Sequence, residues 1–118
     1  MANTKDRRRS PRIDSRFPVH YRPIPVEGSG YRFAMAEDLS AEGVRFQCLD
    51  LVRPRSGMLL ELMVPGDVPV RSFGRAAWVR ELPDHGGFEV GGWFEDPGTA
   101  VRRSIARHLE HLAAPARS

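Results

Sequence analysis

The chain has 118 residues, with 18 Lys/Arg against 15 Asp/Glu for a formal net charge of +3, and 41% of its residues are hydrophobic. That length allows one domain burying roughly two-thirds of its unfolded surface, and a single cysteine, Cys48, excludes an internal disulfide and any CxxC metal or redox site. The most apolar run, Met58 to Val64, is too short to span a membrane, and no apolar segment of a signal peptide follows the basic N-terminus, so a cytoplasmic location is expected.

Residues 1–15 are polar and charged with no usable periodicity, and are expected to form a flexible basic arm. Phe17 to Tyr21 is β-type and predicts a first strand; Pro25, Gly28 and Gly30 then mark a loop. Tyr31 to Leu39 alternates Tyr31, Phe33 and Met35 against Arg32, Ala34 and Ala36, a half-buried strand. Gly43 to Cys48 alternates again, with Val44, Phe46 and Cys48 expected inward. Arg53 to Gly57 is turn chemistry, and Met58 to Val64 is the next strand, ended by Pro65-Gly66-Asp67. Val70 to Leu82 reads as a longer extended run in which Gly74 is a candidate for a bulge or a close backbone approach. Pro83 to Gly87 turns into a last strand, Phe88 to Phe94.

The period then changes. Asp96-Pro97 supplies a cap and a proline at the first helical position, and Val101, Ile105, Leu109 and Leu112 form one apolar stripe, predicting a helix over about 97–113. The expected fold is therefore mainly β: a small six-stranded antiparallel β-barrel over residues 16–118, with the C-terminal helix covering one end.

Charge is uneven along this plan. Residues 1–22 carry Lys5, Arg7, Arg8, Arg9, Arg12, Arg16 and Arg22 against Asp6 and Asp14, whereas the remainder is mildly acidic, with eleven arginines and thirteen Asp/Glu. A protein gripping a long polyanion across its surface is more often basic throughout, so the asymmetry favours a local anion site over nucleic acid.

Enzyme chemistry finds little support. His108 and His111 lie three apart on the helix with Glu110 between them, a spacing that admits a metal pair, but no third ligand stands at a matching position. Solvated or stripe-edge histidines are the simpler reading. Cys48 reads as a small core residue, and His20 and His85 have no paired acid at readable spacing. Phosphate-loop, dinucleotide-binding and nucleophile-elbow motifs are absent. No catalytic residue, metal ligand or cofactor is assigned.

What remains is the arm together with Asp38 to Gly43, the stretch DLSAEG. On its own that stretch is a strand-to-strand turn, and the arm on its own is a solvated basic tail. Taken together, RRRSPRIDSRFPVHY followed by DLSAEG resembles the PilZ domain, a bacterial receptor module for cyclic di-GMP. The family's RxxxR falls on Arg8 and Arg12, and its [D/N]xSxxG falls on Asp38, Ser40 and Gly43 without departure. The later stretches FGRAAWV and GGWF are also similar to family strands, so the likeness runs from about Arg7 to Leu112. Arg12 to Arg16 is a second RxxxR, but Arg16 abuts the first strand and fits better as a strand-edge residue.

The resemblance implies a ligand-binding set of Arg8, Arg12, Asp38, Ser40 and Gly43, with Arg7, Arg9 and Trp78 as additional contacts. The chemistry suits the ligand. Guanidinium forks pair with phosphate oxygens or with guanine O6 and N7, and stack flat on purines. A carboxylate accepts from guanine N1–H and N2–H2, a pairing that adenine cannot offer. The expected function is a cyclic di-GMP receptor or adaptor whose arm orders over one ligand molecule or an intercalated dimer and signals to a downstream protein. The alternatives are a non-specific nucleic-acid-binding barrel and a PilZ-like adaptor that docks protein without ligand.

Overall fold

The computed structural model describes residues 16–24, 30–64 and 68–113, apart from the side chains of residues 85 and 111–113. Six strands, β1 (Phe17–Ile24), β2 (Arg32–Leu39), β3 (Gly43–Cys48), β4 (Gly57–Leu62), β5 (Val70–Glu81) and β6 (Phe88–Phe94), precede one helix, α1 (Thr99–Ala113). All neighbours pair antiparallel and the sheet closes on itself in the order β1-β2-β3-β6-β5-β4, so it has no free edge. Among the described residues no helix is long and apolar enough to cross a membrane.

Alternation fills the barrel. Phe17, Val19 and Tyr21 from β1, Val44, Phe46 and Cys48 from β3, and Met58, Leu60 and Leu62 from β4 are all buried. The Tyr21 and Phe46 rings lie 5.5 Å apart across the interior. Truncating a ring such as Phe46 to alanine would cost about 3–5 kcal/mol. Burial, with Cys48 beside it, pushes the Tyr21 phenol well above its ordinary pKa, and burial likewise raises the Cys48 thiol.

On β2 the inward face is the one with the smaller side chains. Ala34 and Ala36 are buried, while Tyr31 and Phe33 are exposed. Ala34 and Ala36 sit opposite Val19 and Phe17, and Ala36 also opposes Phe46, so methyl groups there make room for two phenyl rings. Gly74 does mark a close backbone approach, since a Cβ there would lie 3.1 Å from the Trp93 carbonyl oxygen, with the Leu60 side chain nearer still. The bulge in β5 falls instead between Ala76 and Trp78.

Helix α1 begins two residues later than the Asp96-Pro97 signal suggests. Asp96 takes a left-handed φ of 51°, and the Gly98 carbonyl accepts the first helical bond, from the Arg102 amide. Ile105 is buried, with Val101 and Leu109 packed against the core. His108, expected to be solvated or at the stripe edge, is also buried, its ring edge-on to Phe17 at 5.7 Å. The helix thus covers the end of the barrel where β1 begins.

Candidate functional site

Asp38 lies on the outer wall because β2 is irregular. Ala36 and Leu39 both face the core although they are three positions apart, an odd spacing, and the register shifts between Ala36 and Asp38. One extra residue, Glu37, therefore reverses the alternation and leaves Asp38 outward. The same device operates on β5: Ala76 and Val79 both face inward, Ala77 is the extra residue, and Trp78 is turned out with 42% of its surface exposed.

The two irregularities belong to one row. Asp38 on β2 is opposite Arg45 on β3, Arg45 is opposite Gly91 on β6, and Gly91 is opposite Trp78 on β5. The Trp78 indole lies over Gly91, where a Cβ would overlap the ring. One terminal nitrogen of Arg45 stands 3.5 Å from Asp38 Oδ2, and the other donates to Glu89 Oε2 at 3.0 Å. Glu89 is buried although it faces outward, and it also accepts from Arg80. Glu37 pairs with the Gln47 amide beside this row.

The turn between β2 and β3 is built by Ser40. Its amide donates to the Gly43 carbonyl at 2.9 Å, and its hydroxyl oxygen accepts from the amides of Glu42 and Gly43, each at 3.2 Å. The hydroxyl expected to meet a ligand is thus engaged in closing the turn. Gly43 is required for a reason other than turn freedom: a Cβ there would overlap the Gly92 carbonyl oxygen and lie 2.8 Å from Trp93 Cα. Its missing side chain admits the β6 backbone. Opposite Gly43 on β6 stands Trp93, 48% exposed, on the same outer wall.

Arg7, Arg8, Arg9 and Arg12 lie outside the described residues. The point from which they extend is described, because Phe17, first residue of β1, is opposite Ala36, two positions before Asp38. The chain therefore enters the barrel at the rim that carries Asp38 and the Ser40 turn. Among the described residues no group of three or more His, Cys, Asp or Glu could hold a metal ion.

Arg45, Glu89 and Trp93 were not among the residues expected at the site. Arg45 had the only local signal, an outward place in the β3 alternation. Trp93 becomes a neighbour of the turn, and Glu89 a neighbour of Arg45, only through the pairing of β3 with β6.

No curated protein sequence matches the chain. The fold is similar to that of the Bacillus subtilis inhibitor of motility (MotI/DgrA), with a TM-score of 0.67 and 11% identity over 89% of this chain; the chain spans 50% of that protein's length. It is also similar to the PilZ domain of CeSA from a cellulose-synthesizing bacterium, with a TM-score of 0.61 and 17% identity, covering 86% of this chain and 97% of that one. The PilZ domain family model matches residues 6–111, from the basic arm through α1. The chain belongs to the PilZ domain family.

Proposed function

We propose that the protein is a cyclic di-GMP receptor that holds the dinucleotide between Arg8 and Arg12 of the arm and the outer wall carrying Asp38, Ser40 and Gly43. The observation that carries this reading is the outward turn of Asp38 at the rim where β1 enters. Arg12 is five residues before Phe17, a reach of about 16 Å in extended chain, enough to bring its guanidinium over Asp38. Asp38 accepts from a guanine edge, and Arg8 and Arg12 take phosphate or a second guanine edge. Arg7 and Arg9 add positive field. Trp78, whose indole lies over Gly91, and Trp93, two residues along β6, supply exposed aromatic surface on this wall. The Ser40 turn presents its backbone, with the serine hydroxyl holding that backbone in shape.

Closure of the arm over the ligand changes the surface at the rim, and a protein partner reads that surface. Ala41 at the tip of the turn shares a groove with Ile105 and Leu109 of α1, so a shift of the turn reaches the helix. The names of the two similar proteins suggest motility and cellulose synthesis as the kinds of output to examine first.

Calorimetric titration with cyclic di-GMP tests the reading. Wild type should bind with low-micromolar affinity or better, and Arg8→Ala/Arg12→Ala should abolish the heat. Amide exchange in residues 5–16 should slow on ligand addition. A folded wild type that gives no heat refutes the receptor function and leaves a protein-docking adaptor.

A further inference from the structure

The ion row behind Asp38 is more elaborate than a surface pair requires. Glu89 is 3% exposed on an outward-facing strand position, an arrangement tolerated only when a buried carboxylate is fully paired. Two arginines from opposite neighbouring strands pair it, Arg45 from β3 and Arg80 from β5. Arg45 does not bond straight across to β6, where it faces Gly91, but reaches diagonally to Glu89. Its Nε is buried with no hydrogen-bond partner, so its two terminal nitrogens, one on Glu89 and one on Asp38, hold the fork.

This bears on what Asp38 does. The terminal torsion of an aspartate is broad, so an isolated side chain samples many carboxylate planes. Pairing both N1–H and N2–H2 of one guanine needs a single plane. A guanidinium held at its far end and standing 3.5 Å from Oδ2 restrains that plane.

We propose that Arg45, braced by the buried Glu89, is the positioning residue for Asp38 and thereby sets the preference of the site for guanine over hypoxanthine. The proposal rests on the receptor reading above. Hypoxanthine keeps N1–H but lacks the 2-amino group, so it registers whether the second oxygen of Asp38 is held in the base plane. Arg80, 64% exposed in its side chain, anchors Glu89 from the other side.

The test is a pair of titrations, with cyclic di-GMP and with cyclic di-IMP, on wild type, Arg45→Gln and Arg45→Lys, each variant verified folded by thermal melting. Loss of one hydrogen bond to a charged acceptor predicts a wild-type preference for the guanine ligand of about tenfold or more. Arg45→Gln should bring that ratio to within about threefold of unity, and Arg45→Lys, which keeps the charge but not the fork, should fall near it. If both variants weaken the two ligands by the same factor, Arg45 acts only through its field or through folding, and the proposal is wrong. An unchanged ratio overturns it equally. A wild type that binds neither ligand removes the receptor reading and this inference with it, whereas binding with an unaltered ratio removes the inference alone.

Discussion

Two walls of the barrel carry outward rows of similar length and chemistry, yet they are built differently. On one, Phe33, His20, Glu61 and Arg71 stand side by side across β2, β1, β4 and β5. Alternation is regular there, and each charge meets its immediate cross-strand neighbour: Glu61 accepts from Arg71 at 3.0 Å and lies 3.2 Å from His20. On the other, the row runs Asp38, Arg45, Gly91 and Trp78. A bulge interrupts each end, the Trp78 indole lies over the glycine between, and the arginine reaches past its opposite residue. The regular row closes its charges upon itself. The irregular row instead turns a carboxylate and an indole outward on one wall, with the indole laid over the glycine between them.

The largest expected effect comes from filling the irregular wall. Gly43→Ala drives a methyl group into the Gly92 carbonyl, and backbone cannot step aside without parting β3 from β6. The substitution should cost at least about 3 kcal/mol. Gly30→Ala, where among the described residues no atom beyond the chain neighbours lies within 4 Å of the new Cβ, should shift stability by less than about 0.5 kcal/mol. Urea unfolding of the two variants measures the contrast; a mild Gly43→Ala would mean that β6 does not approach β3 as closely as described.

Next in size is the contrast between aromatic residues. Trp93 and Phe33 are both about half exposed, on the site wall and the regular wall respectively. If stacking on the site wall contributes as it does for bases elsewhere, Trp93→Ala should weaken cyclic di-GMP binding about tenfold or more, and Phe33→Ala should leave it unchanged. Equal losses in calorimetry would erase the functional distinction between the walls while leaving their geometry intact.

These contrasts also mark where the sequence is readable. Strand β3 follows directly from its alternation, β4 from an apolar run bounded by turn residues, and Ile105 from the helical stripe, because each of these signals is local. The inward face of β2 does not follow, because space inside the barrel, set by Phe17 and Phe46, decides that Ala34 and Ala36 face the core while Phe33 stays outside. The bulges at Glu37 and Ala77 carry no compositional sign; each is one ordinary residue too many. Asp38, Ser40 and Gly43 are legible as a motif, but the need for glycine at 43 comes from β6, whose sequence is far removed. Arg45 and Glu89 meet across 44 residues, a neighbourhood created only when the barrel closes. Arg8 and Arg12 are the reverse case, read from sequence and lying outside the described residues.

The smallest effect belongs to the regular wall and separates its role from that of the site. The hydrogen bond from His20, followed by that from Arg71, lowers the Glu61 pKa below its ordinary 4.5. A carboxylate depressed in this way stabilises the fold above its unfolded pKa, and that stability is lost as the pH falls through the lowered folded value. Arg71 is 74% exposed in its side chain, so solvent screening keeps the contribution to at most about 1 kcal/mol. Glu61→Gln should therefore lower the urea midpoint slightly at pH 7, and the difference from wild type should shrink as the pH falls through the lowered folded pKa of Glu61. A difference that persists undiminished in acid would assign Glu61 to packing instead of charge. Cyclic di-GMP affinity should be the same in Glu61→Gln as in wild type, because this row lies on a different wall from Asp38; a coupled loss would show that strain on one wall passes through the closed sheet to the other.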